Sequence, residues 1–203
     1  FTPFVINNSE KLSSWIIKFL YKDKSTLKKL NSTNHSVKKE SKSNHLIIIG
    51  YGMNGKNLSL AAKQTGIDYV ILEINAETVK RERANGEPII FGDAVHEHIL
   101  ETVCLEDARV VVIAISDPQA SKAILAKIRT LTTVVFVIVR TRYVSEIEPL
   151  LALGADEVIP EEFETSIEIF SRVLGNYLIP IDEIEQISDS IRSNNYGIFN
   201  KVN

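Results

Sequence analysis

Cysteine, methionine and tryptophan each occur once in this chain of 203 residues. The lone thiol, Cys104, excludes an internal disulfide and fits a reducing compartment. Neither sign of charge dominates, with 23 Lys and Arg against 26 Asp and Glu, so the electrostatic footprint of a nucleic-acid binder is missing. No apolar run reaches the roughly 18 residues that a membrane-spanning helix requires. A secretory leader is not visible either, because the first apolar stretch is broken by Asn7, Asn8, Ser9, Glu10 and Lys11. The chain starts at Phe1 rather than Met, which points to a piece of something longer.

What remains is a chain with 44% hydrophobic residues, enough for one core of ordinary size plus flanking segments. Residues 1–21 are apolar and aromatic, with helical spacing from Leu12 to Phe19. Residues 22–44 hold lysines at 22, 24, 28, 29, 38, 39 and 42 among Ser and Asn, the composition of a flexible basic linker. From residue 45 the text changes to dense apolar runs alternating with helical segments.

Six runs have strand character: His45–Gly50, Tyr69–Glu73, Pro88–Phe91, Arg109–Ile115, Val134–Arg140 and Glu157–Pro160. The first, fourth and fifth are nearly continuous Ile and Val, as suits strands covered on both faces of a parallel sheet. Helix signals separate them. Gly66, Gly86 and Gly154 act as stops, Asn75 caps Ala76–Asn85, and Asp117 caps a helix with Pro118 in its first turn. A further helix covers Phe163–Leu178. The alternation predicts an α/β fold, a Rossmann-like doubly wound parallel sheet of about six strands over residues 45–180. Residues 181–203 open with Ile181, Ile184, Ile187 and Ile191 at helical spacing. They read as a connector helix whose apolar stripe needs a partner subunit or a missing downstream lobe to cover it.

The string His45-Leu46-Ile47-Ile48-Ile49-Gly50-Tyr51-Gly52-Met53-Asn54-Gly55 sets G-x-G-x-x-G between a strand and a helix. Gly50 permits the tight turn, Gly52 lets a pyrophosphate approach the backbone, and Gly55 lets helix and strand pack closely. The helix start offers unpaired N–H groups to phosphate. Glu73 ends the second strand, where an acid accepts ribose hydroxyls and repels a 2′-phosphate. NAD(H) or AMP is therefore favoured and NADP is disfavoured. Gly92-Asp93-Ala94 closes the third strand with small residues that leave room for an adenine ring, and Asp93 either caps the next helix or meets ligand. Asp117 reads as a cap, while Ser116 serves either the helix or a ligand. Arg140 and Arg142 end the fifth strand and meet either phosphate or an acidic neighbour. The candidate nucleotide contacts are Gly50, Tyr51, Gly52, Met53, Asn54, Gly55, Glu73, Ile74, Asn75, Gly92, Asp93, Ala94, Ser116 and Arg140.

Ile49-Gly50-Tyr51-Gly52 with Asn54-Gly55, Val70–Asn75, Gly92-Asp93-Ala94, Ala108–Val112, Val139–Tyr143 and Leu153–Pro160 together resemble the RCK-N or TrkA-N regulatory domain of Kef-type potassium/proton antiporters. The likeness covers about residues 45–180. Residues 1–21 resemble the cytosolic end of such an antiporter's last membrane helix. The resemblance implies a nucleotide-binding regulatory domain that dimerises with a second copy and gates its own transmembrane antiporter domain. It places the domain at the cytoplasmic face of the cell membrane, with the basic linker on anionic lipid. Where the family commonly carries Arg, this chain has Met53, which leaves phosphate to the backbone amides of 51–55.

Other chemistry is weakly represented. His96 and His98 lie two apart on a helix and point to different faces, which disfavours a shared metal. Cys104 reads as a small buried core residue. Glu161, Glu162 and Glu164 read as first-turn acids matched to a helix dipole, with a dimer contact open to them. An enzyme reading, the cofactor domain of an NAD-dependent dehydrogenase, lacks a following catalytic His or Lys constellation. The regulatory domain of a potassium channel or a Trk-type uptake system shares the fold and is set apart by residues 1–21.

Overall fold

The computed structural model describes residues 43–199, with side chains as far as residue 193. The expectations for residues 1–21 and for nearly all of 22–44 lie outside the described residues. The strands are β1 (Leu46–Ile49), β2 (Tyr69–Glu73), β3 (Ile89–Phe91), β4 (Val110–Ile113), β5 (Phe136–Thr141) and β6 (Glu157–Pro160). The helices are α1 (Met53–Thr65), α2 (Ala76–Ala84), α3 (Glu97–Thr102), α4 (Pro118–Leu131), α5 (Ile147–Ala152), α6 (Glu161–Asn176) and α7 (Ile181–Phe199). The sheet runs β3-β2-β1-β4-β5-β6, and every described pairing is parallel.

The strand composition explains this arrangement. Leu46–Ile49 is apolar throughout and buried throughout, because helices cover both faces of β1. Leu46 pairs with Tyr69 on one side and Val110 on the other; Ile49 pairs with Leu72 and Ile113. Alternate residues feed two half-cores. Ile47, Ile49, Val111, Ile113 and Val137 meet Leu100 of α3, Leu125 of α4 and Leu150 of α5. Leu46, Ile48 and Ile71 meet Ala62 of α1 and Val79 of α2. Burying each such Ile or Leu side chain contributes roughly 1.5–3 kcal/mol.

The boundaries differ from the sequence reading for local reasons. Gly50 leaves β1 because its φ of +98° is left-handed. Val134, 91% exposed, lies before β5 rather than within it. Helix α6 begins at Glu161, with Pro160 closing the strand and capping the helix at φ −84°. Cys104 is only partly buried and has φ +52°, so it is a turn residue rather than a core one. The stripe on α7 is partly covered from within the chain. Ile184, Ile187 and Ile191 are half-buried, Ser188 Oγ lies 3.4 Å from Ser171 Oγ of α6, and Arg192 pairs with Glu164 at 3.0 Å. Ile181 stays 73% exposed.

Candidate functional site

The carboxyl ends of β1 and β4 lie side by side and send the chain in opposite directions along the sheet, which creates the crevice where open α/β sheets bind ligands. The glycine loop sits there, and its three glycines answer to different neighbours. A Cβ on Gly50 would stand 2.6 Å from Ile115 Cγ2, and one on Gly55 would stand 2.0 Å from the Gly50 carbonyl oxygen. Protein packing alone thus requires both. A Cβ on Gly52 would meet nothing within 4 Å, so no packing among the described residues requires glycine there. Gly52 is the N-cap of α1 and offers no side-chain cap. The first-turn amides of α1 have no intrahelical acceptor, and no acid stands in that turn. By contrast α6 carries Glu161, Glu162 and Glu164 in its first turn. Lys56 adds a cation, its ammonium 5.7 Å from the Tyr51 ring centroid.

Glu73 borders the same loop. One carboxylate oxygen accepts the Tyr51 N–H at 2.8 Å and the other accepts the Asn75 N–H at 2.7 Å. The acid therefore anchors the glycine loop, with lone pairs left for further donors. Asn75 caps α2, its side chain accepting the Thr78 N–H at 2.9 Å. Ile74 is 65% exposed beside it, and Met53 is 80% exposed at the loop.

At the end of β3, Gly92 is held to glycine by the protein itself: an added Cβ would stand 2.6 Å from Ile99 Cγ2. Asp93 accepts the Val95 N–H at 3.0 Å in a local turn, while His96 occupies the cap position of α3. The Ala94 methyl group belongs to the core. Asp117 caps α4 by accepting from the Gln119 and Ala120 N–H groups.

Arg140 organises the far wall. Its Nη1 donates to the Ile115 carbonyl at 3.1 Å and to Ser116 Oγ at 2.9 Å, and its Nε donates to Glu161 Oε1 at 2.5 Å. Its Nη2 donates to the other Glu161 oxygen. Asn54 of the glycine loop donates to Glu161 Oε1 at 3.0 Å. The bonds from Arg140 hold the Glu161 carboxyl below the usual carboxylate range against partial burial. Glu161 is thus more than a helix-dipole acid. No local pattern signals this contact, since it joins residues 54, 140 and 161 through the adjacency of β1, β4, β5 and β6. Arg142 is exposed, its guanidinium 5.4 Å from the Tyr143 ring centroid. His96 precedes α3 and its ring stacks on that of His98 with centroids 5.7 Å apart, so the two do not point to different faces; among the described residues, no group of three or more His, Cys, Asp or Glu is placed to hold a metal ion.

Residues 46–161 match the TrkA-N domain. The chain belongs to the TrkA-N family. This TrkA-N chain is 32% identical over 154 residues to the protein of Alkalimonas amylolytica that carries the name K(+) efflux antiporter KefB, covering 76% of this chain and 23% of that one. It is 28% identical over 149 residues to K(+) efflux antiporter 2, chloroplastic, of Arabidopsis thaliana, covering 73% and 13%. The chain therefore spans less than a quarter of the length of either relative. Among solved structures, the TrkA-N domain of inner membrane protein YbaL from Escherichia coli is 26% identical at a TM-score of 0.61, covering 64% of this chain and 96% of that one. The Kef C-terminal domain of Shewanella denitrificans in AMP-bound form (21% identity, TM-score 0.63, 77% and 96%) and the GsuK channel bound to NAD (19%, 0.56, 68% and 24%) share the fold. No described helix of the TrkA-N chain is long and apolar enough to cross a membrane.

Proposed function

We propose that residues 45–180 form the nucleotide-binding regulatory domain of a potassium/proton antiporter, with NAD(H) or AMP as ligand. The observation that carries this reading is Gly52. The described residues leave the space above it free, the first turn of α1 holds no acid of its own, and an acid stands on the neighbouring strand end. A phosphate on the α1 amides and a ribose on Glu73 fit that arrangement. The TrkA-N relatives support it, since their names are those of potassium efflux antiporters and one neighbour holds AMP.

In this reading the role is regulation rather than catalysis. The nucleotide acts by binding one state of the transporter more tightly than the other. A second copy pairs with the first, a step supported by the exposed Ile169 and Val173 of α6 and Tyr177 and Leu178 just after it. The domain stands at the cytoplasmic face of the membrane beside its own transmembrane domain, with the lysines of 22–44 near anionic lipid.

A thermal-shift panel with NADH, NAD, AMP, ATP and NADPH, repeated on Glu73→Ala, tests the ligand. A ligand that binds the native state raises its melting temperature by mass action. Stabilisation by AMP or NAD(H), weak for NADPH and lost in Glu73→Ala, is expected. No response to any nucleotide would sink the site assignment while leaving the fold untouched.

A further inference from the structure

Asn54 and Arg140 are side-chain donors beside the glycine loop on its β4–β5 side, and both are engaged by one carboxylate, that of Glu161. The network lies against the loop itself. Arg140 is fixed to the Ile115 carbonyl, and Ile115 Cγ2 is the atom that a Cβ on Gly50 would strike. Charge at this wall is balanced within the protein, Arg140 against Glu161, and Arg142 further favours the ionised carboxylate.

A phosphate at the α1 amides meets this arrangement in one of two ways. It lies beside an ionised carboxylate, or it draws Asn54 and Arg140 to itself and leaves Glu161 without them. Either way the cost grows with phosphate charge. The adenosine end, at Glu73 and the β2–β3 edge, is spared.

We infer that Glu161 is a specificity-determining residue of the nucleotide site, its carboxylate holding Asn54 and Arg140 against the phosphate end of the ligand and disfavouring nucleotides in proportion to their phosphate charge. This rests on the nucleotide reading above. Glu161 is also the first residue of α6, so a phosphate that displaces it acts directly on the start of that helix.

Calorimetric titration of the chain with adenosine, AMP and ADP tests the assignment. Glu161→Gln keeps the side-chain shape and an acceptor for Asn54 but removes the charge. It should bind AMP about tenfold tighter and ADP tighter still, with adenosine within about twofold of wild type. An equal change for all three ligands, or weaker AMP binding, overturns the proposal. Should Glu161→Gln melt before titration, Arg140→Gln and the double variant Arg140→Gln/Glu161→Gln replace it, since the double variant strands no charge. The double variant binding AMP several-fold tighter than Arg140→Gln alone supports the role of Glu161; equal binding overturns it. If adenosine binds and the AMP selectivity does not move, only this proposal falls. If none of the three binds the wild-type chain, the nucleotide reading falls with it.

Discussion

Gly52→Ala and Gly55→Ala add the same methyl group three residues apart and should have opposite consequences. At Gly55 the new Cβ would stand 2.0 Å from a backbone oxygen and 3.4 Å from Ile48 Cγ2. No rotamer relieves a backbone contact, so α1 must shift off β1, at a cost of about 3 kcal/mol or more. For a domain of this size that lowers the melting temperature by roughly 6–12 °C. At Gly52 the Cβ enters open space at φ −73° and ψ −161°, which alanine tolerates, and only the helix cap weakens, by about 1 kcal/mol at most. The methyl group there occupies the approach to the α1 amides. AMP or NAD(H) affinity should therefore fall at least about tenfold while the melt moves by roughly 2–4 °C. Melting curves of both variants, each with and without nucleotide, read both quantities. A Gly52→Ala protein that binds nucleotide like wild type would refute the argument that the space at Gly52 serves a ligand.

Two further outcomes follow from side chains described above. The lowered Glu161 pKa gives stability that is complete above the ordinary carboxylate value of 4.5 and is lost as pH falls through the lower folded value, because the unfolded chain then binds the proton first. Melts between about pH 6 and pH 3 should decline less steeply for Glu161→Gln than for wild type, and parallel curves would contradict this. Arg129, whose side chain is 15% exposed, donates to the Gly154 carbonyl at 2.6 Å, the Val135 carbonyl at 2.9 Å and Asp156 at 2.6 Å, tying α4 to the starts of β5 and β6. Arg129→Ala should cost about 3 kcal/mol in chemical denaturation with the nucleotide response of the folded protein unchanged. An altered affinity would show that this clamp reaches the crevice.

The fold was legible because its signals are local and redundant. The Ile and Val runs of β1 and β4 suit strands of a parallel sheet, fully buried in β1 and alternately so in β4, and Gly66, Asn75 and Asp117 mark helix ends by their own chemistry. The glycine loop was legible for the same reason, since turn, strand and helix adjoin in sequence. What escaped was the identity of the partners that topology brings together. Glu161 reaching Asn54 and Arg140, and Glu73 anchoring the Tyr51 amide, join residues whose proximity is set by strand order. The buried reading of Cys104 and the cap reading of Asp93 fail for a different reason. The turns on either side of α3, between β3 and β4, are irregular, and a left-handed φ at a cysteine leaves no trace in composition.

The strand order also sets a schedule for synthesis. As the chain leaves the ribosome, β1, β2 and β3 emerge first and complete one wing of the sheet, each new strand adding at the outer edge. The other side of β1 then stays open until β4 arrives, some sixty residues after β1, and with it the floor under Gly50 supplied by Ile115. During that interval an Ile-rich strand presents an unpaired edge, the kind of surface to which chaperones and other nascent chains bind. A translational pause placed before β4 would lengthen that exposure, whereas one placed after β6 would not.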